Sequence, residues 1–170
     1  MNARLLFASA LFAAAAGLAI GSGCTSSDPG TGPPSSCAEY TPPATFDAQN
    51  PKISFKNDLA PMFEASCGFT SCHGALTGAN NGLYVGKDGA RFVKEAVSQP
   101  ALQLTSMPFV TAGDPKKSYF MHKLDNDLCV FDKQCGGGSC LDPMPQGAPL
   151  WSVEDRDKVR RWIAQGAQNN

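Results

Sequence analysis

Seven cysteines in a chain of 170 residues constrain this sequence more than any other feature, and their positions sort them into three groups. Cys24 stands alone behind an apolar leader. Cys67 and Cys72 bracket four residues and are followed at once by His73. Cys37, Cys129, Cys135 and Cys140 remain. An odd count asks for at least one sulfur with a fate other than an internal disulfide, so each group has to be read by its surroundings.

Arg4 supplies a positive start, Leu5 to Ile20 form an apolar run, and Gly21, Ser22 and Gly23 are small. The run is too short for a comfortable membrane span and its flank is small and polar, so residues 1–23 read as a secretory signal. Cys24, directly after small residues, resembles the lipobox of bacterial lipoproteins, in which the thiol is diacylated and the Cys becomes the mature N-terminus. The sequence departs from that pattern in having Gly21 where Leu is usual, with Ile20 one place further back. Two or three acyl chains anchor stably, because each buried methylene contributes about 0.8 kcal/mol. An ordinary cleaved signal, with Cys24 free or paired, is the competing reading. Thr25 to Ser36 contains no apolar residue and cannot bury enough surface to order itself. Residues 24–50 are therefore expected to be a lipidated flexible tether and residues 51–170 one domain of ordinary size. The net charge is −1, and no Lys/Arg run suggests nucleic acid.

In an exported chain, sulfurs left as thiols tend to pair. With Cys24 given to lipid and Cys67 and Cys72 set aside, Cys37, Cys129, Cys135 and Cys140 suffice for two disulfides. One lipidated Cys plus three disulfides closes the count equally well. The stretch from Cys129 to Cys140 includes Gly136, Gly137 and Gly138 and reads as a stapled surface loop. Cys37 paired with one of its cysteines would fasten the start of the domain to it.

Cys67-Gly-Phe-Thr-Ser-Cys72-His73-Gly74 carries the chemistry. Covalent haem attachment needs two thiols set for two vinyl groups and a His directly after the second, so that the imidazole falls beneath the iron. The usual spacing places two residues between the cysteines; here there are four. A Cys67–Cys72 disulfide, or pairs with other cysteines, would leave His73 on the surface. A four-Cys zinc site using Cys135 and Cys140, which share the spacing, is arithmetically possible, but exported thiols oxidise and the Gly-rich pair lacks a knuckle pattern.

The flanking pattern is helical. Phe55, Leu59, Met62 and Phe63 share one face, Pro61 suits an early turn or a kink, and this helix delivers Cys67. Helices are expected over 55–66, 88–98 (Phe92, Val93, Ala96 and Val97 inward), 115–124 (Asp114 as N-cap, Pro115 at N1) and 153–165. The last opens on Ser152-Val-Glu-Asp155, close to a capping box, and closes near Gly166. Its Trp162 reads as core. Met144, between Pro143 and Pro145, sits on an irregular stretch from which a thioether could reach an iron face opposite His73. Met107, Met121 and His122 are the rival second ligands. His122, the only other His, reads as an exposed residue on a polar helix face. Asp125, Asp127 and Asp132 lack the spacing of a calcium loop and read as a solvated turn. No Ser/His/Asp or Cys/His catalytic set is apparent.

From Phe55 to Ala167 the chain resembles the cytochrome c-like domains of exported proteins of myxobacteria and planctomycetes. The resemblance rests on Pro61 to Phe63, Cys72-His73-Gly74, Gly82-Leu83-Tyr84, Ala112-Gly113-Asp114-Pro115, Ser118 to Leu124, Met144-Pro145 and Trp162-Ile163-Ala-Gln-Gly166-Ala167, in that order. The four-residue Cys spacing and the Cys129 to Cys140 insertion are departures. The resemblance implies a mostly α, cytochrome c-like domain of about four helices with long loops, stapled by disulfides. It implies one haem c held by Cys67 and Cys72, with His73 as proximal and Met144 as distal ligand. Such a protein carries electrons to a redox partner protein rather than catalysing a reaction. Through its N-terminal lipid it would sit on the periplasmic face of a bacterial membrane, the outer one slightly favoured by Thr25 after the lipidated Cys. The alternative is a haem-free disulfide-rich lipoprotein domain with a binding or surface-structural role.

Overall fold

The computed structural model describes residues 37–170; the signal expected at 1–23 and the lipidation expected at Cys24 lie outside the described residues. What it describes is mostly helical, with no β-strand among those residues beyond two isolated bridges, Val97 with Val110 and Pro100 with Pro108.

The first helical segment opens as a π-helical turn, Phe55–Leu59, and continues as α1, Ala60–Ser66. Pro61 explains the change of winding. It has no N–H for the carbonyl one turn back, and the Ala60 N–H instead reaches Phe55 O. Ser54 caps the turn through its hydroxyl, which accepts from Asn57 N–H. The second helix, α2, spans Gly89–Ala96 and is capped by the Asp88 carboxylate on Arg91 N–H. Asp114 caps the 3-10 turn Pro115–Lys117, and α3, Tyr119–Asp125, follows after Ser118. A single helix over 115–124 does not form, because Ser118 takes an extended backbone. The last helix, α4, spans Val153–Ala164; the Ser152 hydroxyl accepts from Asp155 N–H and donates to the Asp155 carboxylate.

These segments share one core of aromatic rings. Phe55 stacks on Phe92 at 5.5 Å and meets Trp162 at 5.6 Å, which joins the two ends of the domain. Phe63 sits between Phe55, Phe92, Phe120 and Trp151. The inward face expected for α2 is the face that packs: Phe92 and Ala96 are fully buried, with Val93 and Val97 against the same cluster. A second, smaller cluster gathers Leu104, Tyr119, Leu128, Cys135 and Cys140, and Phe109 touches both.

Among the described residues two disulfides join Cys37 to Cys129 and Cys135 to Cys140, with Cα separations of 5.6 and 5.2 Å. The four cysteines set aside for pairing therefore pair among themselves, and the Cys37 bond fastens the start of the domain to the Cys129 loop. Residues 37–50, which composition assigns to the tether, also contact the rest of the domain. Tyr40 donates its N–H to Asp127 at 2.7 Å and lies under the guanidinium groups of Arg156 and Arg160. Further along, Arg161 donates to Asp47 O, and Gln165 donates to Ala48 O and Pro51 O. This segment straps α4 from outside.

The acidic residues expected to form a solvated turn are instead bonded to protein partners, with Asp127 buried and Asp125 and Asp132 partly so. Asp125 accepts from both Arg156 and Arg160, Asp127 is 3% exposed, and Asp132 accepts from Cys140 N–H. His122 is likewise buried rather than exposed. Its Nδ1 lies 2.8 Å from Asp127 Oδ1 and its Nε2 3.0 Å from Lys116 O. Two oxygen acceptors call for two donors, which is the imidazolium form. Burial opposes that charge, but the Asp127 carboxylate and the Lys116 carbonyl outweigh it, and the pKa stands above 6.5. A group with a raised folded pKa contributes stability that is complete below its unfolded value and is lost as pH rises through the folded one. The His122–Asp127 pair should thus make the domain lose stability as pH rises past the ordinary histidine value. Urea midpoints across pH 5 to 9 check this at ~1-unit steps, and a His122→Gln variant is expected to flatten the profile; an unchanged slope would refute it.

Candidate functional site

The α1 helix ends in a self-closing turn. Cys67 N–H and Gly68 N–H both donate to Phe63 O, at 2.7 and 2.9 Å. The chain then folds back: Cys72 and Gly74 donate to Phe69 O, and His73 donates to Cys67 O. The closure leaves no room at Gly74, where a Cβ would collide with the Gly68 carbonyl. Residues 80–85 pin the turn from the side, through Asn80 N–H to Cys72 O and Val85 N–H to His73 O, both 2.9 Å.

His73 is half-buried, and its Nδ1 lies 3.0 Å from Leu83 O. A carbonyl can only accept, so Nδ1 carries the proton, and in the neutral ring Nε2 keeps its lone pair. Burial lowers the His73 pKa and outweighs hydrogen bonds to the backbone carbonyls of Leu83 and Asn80, which keeps the ring neutral near pH 7. A ligating His has this arrangement: one nitrogen fixed by a backbone oxygen, the other with a lone pair.

Cys67 is a buried free thiol in the main core, and burial pushes its pKa up to about 12. Cys72 is buried and disulfide-bonded. The sulfurs at the two ends of the turn are thus in different chemical states. Cys135 and Cys140 are bonded to each other, so they are not thiolates available to a zinc ion. Among the described residues no cluster of three or more His, Cys, Asp and Glu side chains is placed to hold a metal ion.

The candidate second ligands separate by place. Met144 packs against the main cluster that contains Cys67, whereas Met107 packs against the smaller one. Met121 is fully buried in the main cluster. His122 has both nitrogens engaged, by Asp127 and by the Lys116 carbonyl. The Met144 stretch is held by Lys123, a residue that sequence reasoning passed over. Its Nζ donates to Cys140 O and Asp142 O at 2.9 and 2.7 Å, and its own carbonyl accepts from Met144 N–H at 2.9 Å. Burial lowers the Lys123 pKa to about 8. Trp151 brings the same loop to the end of α1, stacking on Phe63 and donating to the Ser66 hydroxyl at 3.2 Å. A lone Lys inside the apolar run Tyr119–Leu124 was the available signal for Lys123.

The loop between the turn and α2 is held by an ion pair. Arg91 binds Glu95 at 2.8 Å, donates to Leu76 O at 2.9 Å and lies over the Tyr84 ring. The spacing of four residues along α2 makes this pair legible in sequence; its second role, toward residues 76–84, is not.

No family model matches the chain, and neither a curated protein nor a solved structure is significantly similar to it. Among the described residues no helix is long and apolar enough to cross a membrane.

Proposed function

We propose that this domain is a monohaem c-type cytochrome, an exported, lipid-anchored electron carrier attached through Cys67 and Cys72, with His73 and Met144 as axial ligands. The observation that carries the reading is the Nδ1–H bond from His73 to Leu83 O, which leaves a neutral Nε2 as donor at the end of a rigid turn. Its support in sequence is the ordered set of segments from Pro61 to Ala167. The donor set suits the group: an imidazole of fixed tautomer, a thioether and a buried thiol are the ligands and attachment point a haem c takes. Cys72 suits it only as a thiol, since it is a thiol that adds across a vinyl group. A dithiol reductant must first open the Cys72 disulfide.

When bound, haem supplies reversible one-electron exchange. The chain's own part is positional. The closed turn fixes His73, and Lys123 holds the Met144 stretch. The partner is another redox protein, reached from a membrane surface through the lipid on Cys24. The Cys72 disulfide favours a second reading, a haem-free disulfide-rich lipoprotein domain in which Cys67 is simply a core thiol.

The ligand assignment has its own test. In haem-loaded protein, Met144→Ala should abolish the sulfur-to-iron charge-transfer band, and Met107→Ala should leave it intact. The reverse pattern would overturn the assignment of Met144.

A further inference from the structure

Leu83 and Tyr84 share a peptide group that is gripped from both sides. On one side Leu83 O accepts from His73 Nδ1 at 3.0 Å. On the other, Tyr84 N–H donates to Glu95 Oε2 at 2.8 Å. The C=O and N–H of a trans peptide point in opposite directions, so the unit forms a straight bridge from imidazole to carboxylate. We propose that Glu95 is a positioning residue for His73, acting through the Leu83–Tyr84 peptide to fix the Nδ1–H tautomer and strengthen its hydrogen bond. This rests on the reading of His73 as an iron ligand for its functional meaning, though not for its physics.

An anion that accepts from one end of a peptide group shifts electron density toward the oxygen at the other end and makes it a better acceptor; such cooperativity strengthens a bond by roughly 10–30%. Ligating histidines commonly give their second N–H to a carboxylate directly. Here one peptide unit stands between them. Glu95 is held for this role. Its other oxygen accepts from Arg91 Nε at 2.8 Å, and Arg91 also spans Leu76 O and the Tyr84 ring, so one side chain grips both flanks of the loop. Glu95 stays ionised: burial raises its pKa, but Arg91 and the Tyr84 N–H lower it further than burial raises it. Both residues belong to α2, whose Phe92 and Ala96 are locked in the core.

The test uses the full chain, produced without haem, and reads the His73 side-chain Nδ1–H proton and its nitrogen by NMR. In the wild type this proton should be observable and shifted downfield. Glu95→Gln keeps an acceptor for Tyr84 N–H and removes the charge, so the proton should move upfield with the amide spectrum of the core unchanged. Glu95→Ala should move it further or lose it to exchange. Glu154→Gln, an exposed carboxylate on α4, serves as the control and should change nothing. A His73 proton that does not move in Glu95→Gln or in Glu95→Ala overturns the proposal. In haem-loaded protein Glu95→Gln should also raise the reduction potential, since a weaker imidazole donor favours the reduced iron. A wild-type chain that takes up no haem would remove the ligand reading alone, and the proton shift would stand as its own result.

Discussion

Replacing Phe63 with Ala is expected to destabilise the domain by about 3–5 kcal/mol. Its ring is fully buried and lies 5.7, 5.3, 5.7 and 5.9 Å from those of Phe55, Phe92, Phe120 and Trp151. Truncation therefore removes a common partner from the first segment, α2, α3 and the loop before α4. The surroundings cannot collapse around the void from several directions at once, so the cavity cost adds to the lost transfer energy. A domain of this kind is stable by about 5–15 kcal/mol, and the substitution takes a large share of it. Phe63 O also receives the N–H groups of Cys67 and Gly68, so the loss falls where the turn to His73 begins. Urea unfolding gives the measurement. Phe109→Ala, at a partly buried ring against Phe120, should cost less, and a Phe63→Ala loss below that of Phe109→Ala would contradict this description of the core.

The second large effect belongs to the Cys37–Cys129 bond. It closes a loop of 92 residues, against 5 for Cys135–Cys140. Chain entropy alone gives about 4–5 kcal/mol for the first and about 2 for the second. The long bond also anchors the strap beside Tyr40, which reaches Asp127 and the two arginines. Each pair should be replaced whole, as Cys37→Ser with Cys129→Ser and Cys135→Ser with Cys140→Ser. A single change would leave a thiol able to attack the remaining disulfides. Calorimetry should show the larger drop for the first double variant. Equal drops, or the reverse order, would mean that the strap adds little to the domain.

What the sequence makes legible here is what depends on local periodicity and capping. Phe55, Leu59, Met62 and Phe63 at helical spacing, Asp114 before Pro115, and Ser152 before Asp155 all mark real segment ends. The grouping of Cys37, Cys129, Cys135 and Cys140 into two bonds is one of the two tallies that counting leaves open, and the structure has those bonds. What stays hidden depends on partners far along the chain. Residues 37–50 look like linker because their order comes from Cys129, Asp127, Arg156 and Gln165, all of them more than eighty positions away. His122 looks exposed by helix pattern, yet it is buried because Asp127 and the Lys116 carbonyl satisfy both ring nitrogens. At the candidate site, the Cys67–His73 turn and Met144 can be read directly. The Leu83 carbonyl, Lys123 and Glu95, which hold them in place, become visible only in three dimensions.

The most direct measurement is to export the full chain in cells carrying a cytochrome c maturation system, denature it, and ask whether haem stays with the polypeptide. Haem that survives denaturation, mapped to peptides containing Cys67 and Cys72, is the expected result. A haem-free polypeptide in which Cys67 is alkylated as a free thiol while Cys72 remains in its disulfide would contradict the cytochrome reading and leave the disulfide-stapled lipoprotein in its place.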